Sequence, residues 1–130
     1  QIRSHLIARY KLTANDPYLV CVQLSLDHGR RHQSIYLTQI EEEDDRILLR
    51  VSTVLAPTTG IDLRRALAFN WTSSVGYLAI SDLDGVPYLQ LCENRPFASL
   101  DEAEIDRLVL EIGGVGDRIE HVLSAGGDLL

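Results

Sequence analysis

The sequence predicts an α+β domain in which an antiparallel sheet carries helices packed on it, in the order strands, helix, two strands, helix. Three observations predict this class. Runs within residues 18–55 alternate apolar and polar side chains, as half-buried strands do. Residues 102–123 place apolar side chains at three- and four-residue steps, the spacing of an amphipathic helix. The turn signal Asp84-Gly85 separates two further strand-like runs.

Strands of the first half follow from this alternation and from turn residues. Residues 5–12 alternate and predict a strand, with a short helix as the alternative, and the sequence Thr-Ala-Asn-Asp-Pro at 13–17 predicts a turn. Residues 18–26 place Val20, Val22, Leu24 and Leu26 on one face, which is typical of a strand against a core. Residues 34–40 and 47–55 predict two more strands, joined across the acidic run at 41–45.

A short helix follows over residues 61–69, with Asn70 expected just past its end. Its apolar residues spread over several sides, so we expect it to be buried against something beyond its own sheet, which could be a second copy of the chain. Residues 75–81 and 86–92 then form a predicted hairpin around Asp84-Gly85. Pro87 predicts that the second strand lies at an edge or leaves its nitrogen unpaired.

A long helix closes the predicted fold. Ser99 and Glu102 have the spacing of a capping box at its start. Gly113, Gly114 and Gly116 interrupt its apolar stripe and predict either a kink or a close approach to neighbouring backbone. We interpret residues 1–130 as one domain, and an alternative interpretation of residues 1–12 is the remnant of a longer N-terminal region.

Charge and composition exclude several classes of partner. The formal net charge is −7, and residues 66–130 carry three positive against eleven negative side chains. Such a chain repels phosphate, so we expect no nucleic acid, and no apolar run is long enough to expect a membrane partner. Cys21 and Cys92 lack metal-binding spacing and predict reduced thiols in the cytoplasm, with a disulfide between them as the alternative.

No motif predicts catalysis, a cofactor or a metal. The glycine cluster at 113–116 lacks the strand and the lysine of a phosphate loop, and Asp82-Leu83-Asp84-Gly85 lacks the remaining ligands of a calcium loop. His28, Arg30, Arg31 and His32 form the main basic cluster and are interpreted as a solvated loop. Because no nucleophile stands beside a recognisable base, we expect a protein that is not an enzyme.

Residues 61–123 contain a series of turn and core motifs: Ala66-Leu67-Ala68-Phe69-Asn70, Tyr77-Leu78-Ala79-Ile80, Asp82 to Gly85 with Tyr88-Leu89-Gln90-Leu91, Ser99-Leu100-Asp101 and Asp117-Arg118-Ile119. With these motifs the segment resembles the small acidic chaperones of type III secretion systems and the related YbjN-like family of bacterial regulators. The resemblance implies a secretion-chaperone-like fold and a homodimer that grips a polypeptide client. The residues that it places at the dimer or partner interface are Leu63, Leu67, Phe69, Trp71, Tyr77 and Ala79.

Two functional hypotheses follow from the sequence. The first is a non-enzymatic, homodimeric protein-binding module of the cytoplasm, either chaperone-like or a regulatory adaptor. The alternative is a regulatory domain of a larger protein that binds a small ligand through the basic cluster at 28–32.

Overall fold

Within the residues that the structure describes, six strands and two helices form from the predicted periodicities. The computed structural model describes residues 11–15, 19–26 and 31–124. A single 3₁₀ turn, Phe97–Ser99, precedes the last helix. In chain order the elements are β1 (Lys11–Asn15), β2 (Leu19–Leu26), β3 (Arg31–Glu41), β4 (Ile47–Pro57), α1 (Leu63–Thr72), β5 (Tyr77–Leu83), β6 (Val86–Pro96) and α2 (Glu102–Ser124).

The strands make one antiparallel sheet in the order β1-β2-β3-β4-β6-β5. Asp84 and Gly85 have φ angles of 51° and 84°, as the tight hairpin turn between β5 and β6 requires. The α+β class and the order strands, helix, two strands, helix are thereby confirmed.

One face of the sheet makes the core with α2. Directly opposed residues share a face, so Val22 with Ile35 and Leu78 with Leu91 point to the same side. These four side chains are buried; α2 packs on β2, β3, β4 and β6, and α1 packs on β5. From α2 the core receives Ile105, Leu108, Val109 and Ile112. No helix in the described part of the chain is long and apolar enough to cross a membrane.

Helix α2 is capped by a residue other than the predicted one, and of the two alternatives predicted for its glycines it shows close approach rather than a kink. Asp101, not Ser99, caps it, because the Asp101 Oδ1 accepts a hydrogen bond from the Glu104 N–H at 2.8 Å. The Ser99 hydroxyl instead donates to the Pro96 carbonyl. The helix runs unbroken through its glycines, and a Cβ at Gly116 would lie 2.6 Å from the Thr53 Cγ2. The glycines therefore permit close approach to the sheet.

Two boundary predictions are wrong, and the prediction for Pro87 is confirmed in one of its two forms. Residues 13–15 continue β1, with a register shift after Leu12, while residues 5–10 and 16–18 lie outside the described residues. Helix α1 begins two residues later than expected and ends at Thr72, so Asn70 lies inside it. Pro87 lies on an interior strand and not at an edge, but it stands one residue past the end of β4, so the second alternative holds: its nitrogen pairs with no residue of β4, and its carbonyl accepts from the Thr58 N–H.

Candidate protein-binding surface

Helix α1 presents an apolar row away from the core. Asp62 caps the helix by accepting hydrogen bonds from the Arg64 and Arg65 backbone N–H groups. Ala66 is buried on the inner side. The outer side carries Leu63, Leu67 and Trp71 at four-residue spacing, with exposed fractions of 41%, 70% and 91%. We call these three residues the α1 row.

Asn70 fixes α1 against the edge strand β5. Its Oδ1 accepts from the Leu78 N–H at 2.6 Å, and its Nδ2 donates to the Leu78 carbonyl at 3.1 Å. The Asn70 side chain thereby forms hydrogen bonds with both the N–H and the carbonyl of Leu78, which point away from β6. The orientation of the α1 row depends on this contact, because α1 packs on β5 and Asn70 is half-buried between them.

The face of the sheet opposite the core carries an open groove of about 500 Å³. One row of opposed side chains crosses five strands on this face: Cys21, Tyr36, Ser52, Cys92 and Tyr77. The groove follows this row, and its apolar lining includes Leu19, Val54, Ala79 and Leu83. A largely apolar cleft with a few polar groups is typical of a binding site.

Polar groups of the groove are held by their neighbours. The Arg50 Nε donates to the Asn94 Oδ1 at 3.1 Å, across the β4 to β6 pairing. Burial raises the pKa of the Cys92 thiol, although the nearby Arg50 opposes the shift. Burial also raises the pKa of Tyr36, and the adjacent Cys21 adds to the rise. The thiol and the phenol are therefore neutral at pH 7, so Arg50 is the one charge among the lining residues that the structure describes.

Cys21 and Cys92 do not form a disulfide, which was the alternative to the predicted reduced thiols. Both are buried as thiols that are not joined in a disulfide. They lie in one cross-strand row, separated by three inter-strand steps, which at about 4.8 Å each makes about 14 Å. A disulfide requires Cα atoms within about 7 Å.

The six predicted interface residues occupy three places. Leu63, Leu67 and Trp71 form the exposed α1 row. Phe69 is half-buried and packs against the core. Tyr77 and Ala79 line the groove on the far face of β5. The structure therefore brings together two subsets, one on the helix and one in the groove, and the interface stays a prediction.

The basic cluster is only partly described. His28 and Arg30 lie outside the described residues, and of Arg31 only its place at the start of β3 is described. His32 is exposed, and its ring Nδ1 lies 3.4 Å from the Ser25 hydroxyl. In the part of the chain that the structure describes, no group of three or more His, Cys, Asp or Glu side chains could hold a metal ion.

Sequence reasoning missed Arg50 and Asn70 as site residues. Arg50 is a charged residue that alternates with buried neighbours in the β-branched run of β4. This pattern could have indicated a functional face of the strand. Asn70 was interpreted as a helix terminus because asparagine favours that position. Its partner lies on the next strand, and no local pattern indicates that pairing.

Comparison with known proteins adds no relative. No protein-family model matches the chain, and no curated protein matches it either. The resemblance to secretion chaperones and YbjN-like regulators stays a prediction.

Proposed function

We propose that this protein is a non-enzymatic protein-binding module of the cytoplasm, which pairs as a homodimer through α1 and holds a polypeptide in its groove. The observation that carries the proposal is the α1 row, in which the single tryptophan of the chain is 91% exposed. Aromatic and leucine side chains on one outward face are typical of an interaction surface rather than of a solvated helix.

When two α1 helices pair about a two-fold axis, the α1 row of one copy is buried against the α1 row of the other. An antiparallel pair centred on Leu67 places Leu63 of one copy opposite Trp71 of the other, a small side chain against a large one. Each leucine so buried contributes about 2 kcal/mol. Because both copies contribute equally, every residue of the row counts twice in the association free energy.

Light scattering of purified variants tests the dimer. We expect wild-type protein to be a dimer and Leu67→Asp to be a monomer. The substitution removes two buried leucines per dimer, about 4 kcal/mol, which weakens association by roughly a thousandfold. Leu110→Asp is the matched control, because Leu110 is also an exposed helical leucine, 51% exposed, but lies on α2. Its substitution should leave the dimer intact.

Tryptophan emission gives a second readout. Trp71 is the only tryptophan, so the emission wavelength reports its surroundings alone. Emission should move to longer wavelength on dilution of wild-type protein and stay at the longer wavelength in Leu67→Asp. A monomeric wild type at every concentration, with emission independent of dilution, would contradict the proposed dimer.

A further inference from the structure

Among the described residues that line the groove, one side chain is charged, and that charge has no described carboxylate partner. This residue is Arg50. Its one described polar contact is the Asn94 amide oxygen, on the Nε. The chain has nineteen acidic residues, and other arginines pair with them readily. Four such arginines are Arg46, Arg65, Arg95 and Arg107.

The side chain of Arg50 is oriented to receive an anion. Asn94 accepts from the Nε and thereby fixes the plane of the guanidinium, which leaves the Nη groups as donors. Thr38 lies directly opposite Arg50 on β3, so the groove supplies a hydroxyl beside the guanidinium. A planar guanidinium binds a carboxylate through two parallel hydrogen bonds, and apolar surroundings strengthen that pairing.

We infer that the groove binds an extended polypeptide segment in which one Asp or Glu lies between apolar residues, with the carboxylate paired to Arg50. This inference rests on the proposed function and names the class of its client. The groove crosses from β2 to β5, four inter-strand steps or about 19 Å, which is the length of about six extended residues. A small organic acid would fill only part of that length.

Position and charge specify the segment further. Strand β4, which carries Arg50, is the third of the five strands that the groove crosses, so the acidic residue belongs near the middle of the segment. Apolar lining lies on both sides, with Leu19 toward one end and Leu83 toward the other. The net charge of −7 repels an acidic tract, so the client carries one carboxylate rather than several.

Selection of a random peptide display library tests the inference. The baits are wild type, Arg50→Glu, and Arg118→Glu, an equal charge change at an exposed site on α2. Wild type and Arg118→Glu should enrich peptides with a central Asp or Glu between apolar residues. Arg50→Glu should lose that preference and favour Lys or Arg at the same position. Far-UV circular dichroism checks that each bait is folded.

A double-mutant cycle measures the pairing itself and remains available if Arg50→Glu fails to fold. The best wild-type peptide should bind Arg50→Gln at least about tenfold more weakly, and replacing its acid by the amide should cost the same on wild type. The peptide that carries the amide should bind Arg50→Gln with the same affinity as it binds wild type.

The outcomes separate this inference from the proposed function. Enrichment of acid-free apolar peptides by wild type would overturn the Arg50 pairing and leave polypeptide binding standing. Additive losses in the cycle would overturn it as well. Failure of every folded bait to enrich any peptide would overturn polypeptide binding and the inference together. Displacement of the peptide by free octanoate at matched concentration would assign the groove to a small acid instead.

Discussion

Substitution of Gly116 by alanine tests how α2 is fitted to the sheet. A Cβ there would lie 2.6 Å from the Thr53 Cγ2, closer than carbon atoms can approach. Thr53 is fully buried and cannot simply rotate away. Its Oγ1 accepts from the Gln33 Nε2 at 2.7 Å and donates to the Ser34 carbonyl at 2.8 Å, so the position of the methyl group is fixed by two hydrogen bonds.

The expected magnitude follows from opposing terms. Alanine in a helix interior is about 1 kcal/mol more favourable than glycine. Overpacking costs about 1–3 kcal/mol, and this contact belongs to the upper part of that range, about 2–3 kcal/mol, because its relief by rotation of Thr53 would break two hydrogen bonds worth about 1 kcal/mol each. After subtraction of the gain of about 1 kcal/mol, we expect Gly116→Ala to lower the free energy of unfolding by about 1–2 kcal/mol. Gly114→Ala is the matched control, because a Cβ there meets only the flexible end of Arg118, at 3.8 Å.

Urea unfolding followed by far-UV circular dichroism measures both variants. Gly114→Ala should raise the free energy of unfolding by about 1 kcal/mol, so the two alanines should differ by about 2–3 kcal/mol. Thr53→Ser keeps the hydroxyl and removes the obstructing methyl group. In that background Gly116→Ala should become neutral or stabilising. Equal stabilisation by both alanines in the wild-type background would refute the close approach.

Two further predictions concern the β5 edge and the groove. Asn70→Ala should lower the free energy of unfolding by about 1–2 kcal/mol, because both backbone groups of Leu78 lose their partner; an unchanged urea midpoint would contradict this. Cys92 in folded protein should resist a thiol reagent, since its thiol is buried and its pKa raised. The unfolded state releases that proton first, so stability should fall as the pH rises above 9.0, the ordinary value of the thiol. Immediate labelling of the folded protein, or stability that rises above that pH, would argue against this burial.

Local features of the fold could be predicted because local physics determines them. Alternation set strands β2 and β4 to within a few residues, and Asp84-Gly85 specified the hairpin turn. The start of α1 was misplaced for an equally local reason. Asp62 competes for the cap by binding two backbone N–H groups, which shifts the helix along the chain. The helix also continues to Thr72, so Trp71 is a helical residue in register with Leu67.

Features that depend on distant pairing could not be predicted. The sequence does not indicate that β6 inserts between β4 and β5, and that pairing is what brings Asn94 beside Arg50. The glycines of α2 were correctly identified as exceptional, but the choice between a kink and a close approach depends on Leu24 and Thr53, which lie on other strands.

The edge of β5 favours association through side chains over strand addition. Alternation along the hairpin turns the backbone groups of Leu78, Ile80 and Asp82 away from β6. Asn70 already occupies those of Leu78, and the hairpin turn begins just after Leu83. An incoming strand would find only two residues to pair with, too few for a stable ladder. Helix α1 therefore blocks strand addition at the β5 edge. The same helix presents Leu67 and Trp71 outward and so supplies a side-chain surface for association instead.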